Sequence, residues 1–161
     1  TFNKVVSDLS QALDNTNASF IFFPMSTGMP SDDRVTNSFL ANRCKFWKKN
    51  LVVYDRLSVQ QTLDLIAACD VVVSSRLHAS IFSMNNAVPF IDIVHHDKNR
   101  SFLETIDYDN SVSYWNFDSD KFKSLLKKIL DDSIRYSEEL ATIHQSQMDI
   151  LKKVSSDVRF D

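Results

Sequence analysis

A cation and an imidazole follow directly after an apolar run in the stretch VVVSSRLHAS, residues 71–80. The guanidinium of Arg76 presents a planar set of N–H donors that suits a phosphate or a carboxylate. The imidazole of His78 takes up or releases a proton near neutral pH. Two hydroxyls, those of Ser74 and Ser75, come just before them. This combination predicts a site for a negatively charged small molecule, with a proton-transfer group beside it.

The start of a predicted helix is a second feature that favours binding of an anion here. Ser75 is a suitable N-cap for a helix that begins at Arg76. The first turn of such a helix offers unpaired N–H groups and the positive end of the helix dipole, which stabilise an anion. No glycine loop is needed, and the single glycine of the chain, Gly28, is too few for a P-loop or Rossmann fingerprint.

A purely structural role for the same residues remains open. Residues two apart lie about 200° apart around a helix, so Arg76 and His78 share a face only if Arg76 folds over the helix start. In the alternative, Arg76 pairs with an acid such as Asp70 or Asp92, and His78 is a hydrogen-bonded core histidine.

Apolar runs and helical spacing alternate along the whole chain. The spacing predicts helices at 2–14, from a cap at Asp32 or Asp33 to about Phe46, at 59–70 with Ser58 as cap, and at 76–87, 100–107, 118–131 and 133–157. Short apolar runs predict strands at 19–25, 50–55, 70–75, 88–94 and 112–117. Because these runs lack alternation and helices separate them, we predict one α/β domain over residues 1–161, an open, doubly wound, mostly parallel sheet.

Ligands of such sheets bind beyond the carboxyl ends of the strands. That edge collects Thr27 and Gly28, the segment 54–56, the Ser74–Arg76 segment and the segment 95–98. Hydroxyls, cations and imidazoles therefore recur at one edge. We do not predict a metal there, because adjacent histidines such as His95 and His96 point apart in an extended loop.

Composition limits the class of protein. The net charge of −3, with no dominant basic run, does not suggest nucleic-acid binding. No apolar stretch reaches the roughly 20 residues that span a bilayer, and no signal peptide is visible. The two cysteines, Cys44 and Cys69, are predicted to be buried thiols in a reducing compartment.

The segment 64–106 resembles the C-terminal half of the polysaccharide pyruvyl transferase family. The residues that carry the resemblance are Ala68–Cys69–Asp70, Ser75–Arg76–Leu77–His78–Ala79, Val88–Pro89, Lys98 and Phe102–Leu103. The sequence departs from the family pattern at Ala87, where a glycine is usual, and at His95–His96, where an aromatic residue is favoured.

The resemblance implies a two-domain, glycosyltransferase-B-like enzyme of which this chain is the Rossmann-like C-terminal, donor-binding half. It implies transfer of pyruvate from phosphoenolpyruvate to a saccharide acceptor as a ketal, in exopolysaccharide or cell-envelope synthesis, with no cofactor and no metal. Arg76 would hold the phosphate or carboxylate of the donor, and His78 would be the general acid or base. Lys98, Arg100 or an arginine of the N-terminal half would hold the second anionic group.

By the same resemblance, we expect a cytoplasmic protein that is either free or located at the inner face of the membrane. Without its N-terminal half, the chain is expected to be inactive.

Two other functions remain open. One is a nucleotide-sugar-dependent glycosyltransferase, whose diphosphate would occupy the same helix start, with Asp92 or Asp97 as the nucleotide-binding acid. The other is a non-catalytic domain that docks a partner through an apolar seam of the last helix. The seam consists of Tyr136, Leu140, Ile143, Gln147, Ile150 and Val154.

Overall fold

The computed structural model describes residues 2–45 and 50–157, which form seven helices and five strands. In chain order these are α1 Phe2–Asp14, β1 Phe20–Phe22, α2 Asp33–Ala41, β2 Asn50–Val52, α3 Val59–Ala67, β3 Val72–Ser74, α4 Leu77–Asn85, β4 Phe90–Val94, α5 Asp97–Thr105, β5 Ser111–Ser113, α6 Ser119–Asp131 and α7 Ser133–Asp157.

Every strand pair among these residues is parallel, as the apolar runs predicted. β1 pairs with β2, and β3, β4 and β5 form a second ladder with β4 in the centre. The structure therefore has two small parallel sheets where the sequence predicted one. Four of the strands are only three residues long, so each supports few ladder hydrogen bonds.

Helices cover both faces of the central strand. All five residues of β4 are buried, and its four apolar residues are divided between two apolar clusters. Ile91 and Ile93 belong to a cluster with α1 and α6, whereas Phe90 and Val94 belong to one with α3, α5 and α7. This alternation with burial on both sides confirms the mixed α/β class.

Three of the predicted helix starts are confirmed by their caps. The Asp32 carboxylate accepts a hydrogen bond from the amide of Arg34 at the start of α2. Ser58 and Gln61 form a reciprocal capping box at α3. Asp118 accepts from the amides of Asp120 and Lys121 at α6.

The prediction that Ser75 caps a helix beginning at Arg76 is wrong. α4 begins at Leu77, and its N-cap residue, Arg76, makes no side-chain cap bond. The hydroxyl of Ser74 instead accepts from the amide of Arg76 at 2.9 Å. β3 ends at Ser74, and a serine at a chain turn readily bonds the amide two residues ahead, which delays the helix by one residue.

Two other boundaries differ from the prediction. α5 begins at Asp97, so Lys98 lies on a helix rather than in a loop. An acidic side chain in the first turn favours this earlier start through the helix dipole. α2 ends at Ala41 with Asn42 as its C-cap, and Phe46 lies outside the described residues.

α7 is the long last helix that the sequence predicted, but only the first part of its seam is packed. Leu140 is fully buried in the cluster with Phe90, and Ile143 packs against that cluster. Ile150 is 51% exposed. The side chain of Val154 lies outside the described residues. Both cysteines are free thiols, Cys44 buried and Cys69 half-buried.

Candidate functional site

Arg76 joins two of the loops at the carboxyl edge of the sheets. Its Nε and Nη2 atoms both donate to Oδ1 of Asp33, at 3.0 and 2.5 Å, and Nη2 also donates to the carbonyl of Ser31 at 3.1 Å. The loop between β3 and α4 is thereby tied to the loop between β1 and α2. Arg76 therefore pairs with an acid, as the structural alternative expected, although the acid is Asp33 rather than Asp70 or Asp92.

Asp33 also organises the loop that follows β1. Its second carboxylate oxygen accepts the amides of Met25 and Ser26, at 3.1 and 2.9 Å. Asp33 is therefore a connector between loops, while Asp32 caps the helix. Sequence reasoning missed this role because the spacing of Asp32 and Asp33 before an apolar helix indicates only a cap.

The pair with Asp33 leaves part of the Arg76 guanidinium available. The side chain is 34% exposed. Among the described residues, no hydrogen bond is found at Nη1, since the contacts with Asp33 and Ser31 use Nε and Nη2. Nη1 is therefore the guanidinium nitrogen that remains for a further acceptor.

His78 lies on the surface in the first turn of α4. Its side chain is exposed, and its ring centroid is 6.4 Å from that of Phe82. The interpretation of His78 as a core histidine is therefore wrong. The first hydrogen bond of the helix runs from the amide of Ala79 to the carbonyl of Arg76. The amides of Leu77 and His78 precede it and point out of the helix start.

A buried network of polar side chains lies beneath the loop between β3 and α4 and bonds to its backbone. The carboxylate of Asp92 accepts from the hydroxyl of Ser80 at 2.6 Å and from the amide nitrogen of Asn99 at 3.0 and 3.1 Å. Asn99 also donates to the carbonyl of Ser75 at 3.3 Å. All three side chains of the network are at most 1% exposed. Burial raises the pKa of Asp92, against the opposing effect of the bonds from Ser80 and Asn99.

The network fixes the start of α4 and of α5 to the central strand. Ser80 belongs to α4, Asp92 to β4 and Asn99 to α5. The signal for it in the sequence is the single acid within the otherwise apolar run VPFIDIV. The sequence analysis noted Asp92 only as a partner for Arg76 or as a nucleotide-binding acid, and its carboxylate is instead occupied by Ser80 and Asn99.

His95 follows β4 and lies within the electrostatic reach of Arg76. Burial lowers its pKa, and the nearby charges of His96, Arg76 and Lys98 lower it further. The rings of His95 and His96 lie together, with centroids 3.7 Å apart. The expectation that these two rings point apart is therefore wrong. Within residues 2–45 and 50–157, no three histidine, cysteine or acidic side chains are grouped as metal ligands.

The remaining candidate residues near this edge are Lys98, Thr27 and Gly28. Lys98 is exposed, and its charge contributes to lowering the pKa of His95. The carbonyl of Thr27 accepts from Arg34, and that of Gly28 accepts from the amide of Ser31. A Cβ at Gly28 would meet no atom within 4 Å, so the structure shows no backbone approach that requires a glycine there.

Arg100 is placed in a separate cleft of about 390 Å³, which Glu104 and Lys121 also line. A shallow groove also runs along the outer side of α7, where Thr142 and Asp149 line it. Neither concavity includes Arg76 or His78. The side chain of His78 is exposed and that of Arg76 is 34% exposed, so solvent reaches both of them.

The fold is that of a parallel α/β protein, with Arg76 and the exposed His78 following the carboxyl end of β3. The sequence pattern of the family described as polysaccharide pyruvyl transferase matches residues 1–97, which is 97 of the 161 residues. The chain belongs to the polysaccharide pyruvyl transferase family. The match contains Asp33, Arg76 and His78, and it stops before Lys98 and Arg100.

No curated protein and no solved structure gives a significant match to this chain. In the part of the chain that the structure describes, no helix combines the length and the apolar character needed to cross a bilayer.

Proposed function

We propose that this chain binds the donor of a transferase that moves pyruvate from phosphoenolpyruvate onto two hydroxyls of a saccharide, as a ketal. One observation carries the proposal: the open start of α4 has beside it a guanidinium oriented by Asp33 and an exposed imidazole. Membership of the pyruvyl transferase family supports the same function.

The donor carries two anionic groups, and the edge offers two sets of cationic contacts. Nη1 of Arg76 and the amides of Leu77 and His78 receive one group, the phosphate or the carboxylate. Lys98 receives the other. Asp33 holds the guanidinium plane in place before the donor arrives, which reduces the entropy lost on binding.

His78 is the proton-transfer group of the proposed reaction. One sugar hydroxyl adds to C2 of phosphoenolpyruvate while C3 gains a proton and becomes a methyl group. The C2–O bond to phosphate then breaks, and the second hydroxyl forms the ketal. Of the two hydroxyl protons, one is balanced by the proton on C3 and the other leaves with inorganic phosphate. An exposed imidazole near neutral pH can relay such a proton.

The open edge supports a two-half architecture of the glycosyltransferase-B type. The other half would cover Arg76 and His78, exclude water and contribute to the acceptor site. We propose that the chain is the C-terminal half of this architecture and works in the cytoplasm in exopolysaccharide or cell-envelope synthesis. On its own it binds donor weakly and does not turn over.

Calorimetry of the full-length protein tests this function. Phosphoenolpyruvate should bind, UDP-glucose should not, and Arg76→Ala should weaken phosphoenolpyruvate about 10- to 100-fold, since it removes a charge-assisted hydrogen bond. Arg43→Ala is the matched control, because that guanidinium lies over the Phe39 ring and not at the site. Binding of UDP-glucose without binding of phosphoenolpyruvate would overturn the proposal in favour of a glycosyltransferase.

A further inference from the structure

Trp115 is a large aromatic side chain that no step of the proposed reaction has used. It lies beyond the region that matches the family and is 69% exposed. An exposed indole that is also held in one orientation offers a preformed apolar face to a ligand. Its neighbours in the chain are polar or half-buried, since Asn116 is exposed and Tyr114 is partly covered.

Two contacts fix the orientation of the indole. Nε1 of Trp115 donates to the carbonyl of His95 at 3.3 Å. The ring of Tyr114 meets the indole edge to face, with centroids 5.2 Å apart and an interplanar angle of 86°. Tyr114 is itself anchored, because its amide donates to the carbonyl of Val94 at 2.8 Å. The indole N–H of Trp115 is thus bonded to the backbone, while most of the ring surface faces water.

The indole stands at the edge of the sheet where the donor residues are. It follows β5, whose last residue, Ser113, pairs with Val94 at the end of β4. The His95 carbonyl that binds the indole belongs to the residue whose pKa is lowered in part by the charges of Arg76 and Lys98. Trp115 therefore lies at the carboxyl edge of this sheet and is bonded to the residue that follows β4.

We propose that Trp115 is the stacking platform of the acceptor subsite and receives a pyranose ring. This inference rests on the proposed function, since it names the place of the saccharide in that reaction. A pyranose has an apolar face of C–H bonds and a rim of hydroxyls. The apolar face packs on the indole, and hydroxyls at the rim bond to the exposed imidazole of His96, one residue from the carbonyl that anchors the platform.

The surroundings favour a small polyhydroxylated ligand over a protein partner. The exposed residues within three positions of Trp115 in the chain are Ser113, Asn116 and Asp118, which are all polar, so no contiguous apolar stretch extends from the indole along the chain. The position also brings hydroxyls of a stacked sugar toward the residues that would hold phosphoenolpyruvate, as ketal formation requires.

Steady-state kinetics of the full-length protein tests the platform. Trp115→Ala should raise the KM for the saccharide about three- to tenfold and leave the KM for phosphoenolpyruvate unchanged, whereas Trp115→Phe should restore most of the acceptor KM. Ile134→Ala is the control, since it removes another exposed apolar side chain, 74% exposed on α7. An unchanged acceptor KM in Trp115→Ala would overturn the inference and leave the proposed function intact.

A binding measurement separates this inference from the reaction itself. In a Trp47→Phe background, Trp115 is the only tryptophan of the chain. Methyl glucoside, methyl galactoside and methyl mannoside are then titrated against its fluorescence, with no donor present. A saturable change with at least one glycoside supports the platform even if no ketal forms. No saturable change with any of the three glycosides contradicts the platform.

Discussion

The guanidinium of Arg76 is held by the carboxylate of Asp33, a residue 43 positions earlier in the chain, through bonds from Nε and Nη2 to the same oxygen. The two side chains are 34% and 18% exposed. The other oxygen of Asp33 binds the amides of Met25 and Ser26. One carboxylate thus sets the conformation of the β1 loop and the direction of the cation that is proposed to bind the donor.

Asp33→Asn tests how much the ion pair between Asp33 and Arg76 contributes to the stability of the fold. The amide retains an oxygen for the Met25 and Ser26 amides but loses the charge that attracts Arg76. We expect the free energy of unfolding to fall by about 1–2 kcal/mol, because hydrogen bonds to charged, partly buried groups are lost. Urea unfolding measures the change. Asp120→Asn is the control, since the Asp120 side chain is 96% exposed, and it should change stability by less than about 0.5 kcal/mol.

His78→Gln tests the proton-transfer role in the full-length enzyme. The exposed position predicts little change in stability, and Arg76 should still hold phosphoenolpyruvate with wild-type affinity. We expect kcat for ketal formation to fall about 10²- to 10⁴-fold, the usual contribution of general acid–base catalysis. His144→Gln removes a half-buried imidazole on α7 and should leave kcat unchanged. A wild-type rate in His78→Gln would rule out the proposed role.

Asp92→Asn tests the buried network under the start of α4. The carboxylate receives hydrogen bonds from Ser80 and from Asn99, and an amide at this position would turn an NH₂ group toward one of these donors. The unsatisfied contact should cost about 1–3 kcal/mol at neutral pH, measured by urea unfolding. Ser83→Ala is a suitable control, because the Ser83 hydroxyl is buried without a partner among the described residues.

The same variant shows a defined pH dependence. Burial raises the pKa of Asp92 above 3.8, so folding favours its protonated form. The stabilisation from this preference is fully present below about pH 3.8 and is lost as pH rises through the folded pKa. The stability difference between wild type and Asp92→Asn should therefore shrink as pH rises through that range. A difference that grows would mean that the hydrogen bonds outweigh burial.

The sequence predicted the parts of this molecule that depend on local rules. Apolar runs without alternation indicated parallel strands, and the caps Asp32 and Ser58 placed two helix starts correctly. The place of His78 in the first helical turn followed from the end of β3, whereas its exposure did not, since a core position was equally open. Membership of the family followed from the SRLHA segment and its surroundings.

The long-range partners could not be predicted in the same way. The bond between Arg76 and Asp33 depends on the path of the loop after β1, which residue types do not specify. A serine such as Ser75 is a common N-cap residue. In the structure, however, the hydroxyl of Ser74 accepts from the amide of Arg76, and the helix begins at Leu77. The contact between the rings of His95 and His96 depends on α5 beginning at Asp97, a boundary that the sequence placed later.

We expect His95 to make the stability of the fold depend on pH near neutrality, because its pKa is lowered in the folded protein. Burial and the charges of His96, Arg76 and Lys98 hold the pKa of this imidazole below 6.5, and Nδ1 is buried with no partner among the described residues. A depressed folded pKa means that its stabilisation is present above about pH 6.5 and is lost as pH falls through the folded pKa. We expect wild type to lose more stability than His95→Gln between pH 7.5 and 5.5, in urea unfolding at the two pH values. Parallel losses would show that another group titrates.

Leu140 and Ile150 occupy the same seam of α7 but differ completely in environment. Leu140 is fully buried against the cluster that contains Phe90, whereas Ile150 is 51% exposed. Leu140→Ala should lower the free energy of unfolding by about 2–5 kcal/mol, because it leaves a cavity, and Ile150→Ala should change it by less than about 0.5 kcal/mol.

Thermal and urea unfolding of both variants measure these values, and sedimentation compares their oligomeric states with that of wild type. Equal losses of stability would show that the second part of the seam is packed in solution. A change of oligomeric state in Ile150→Ala, with stability preserved, would favour docking of a partner through α7. Leu140 cannot give that answer, because its substitution disturbs the core of the domain itself.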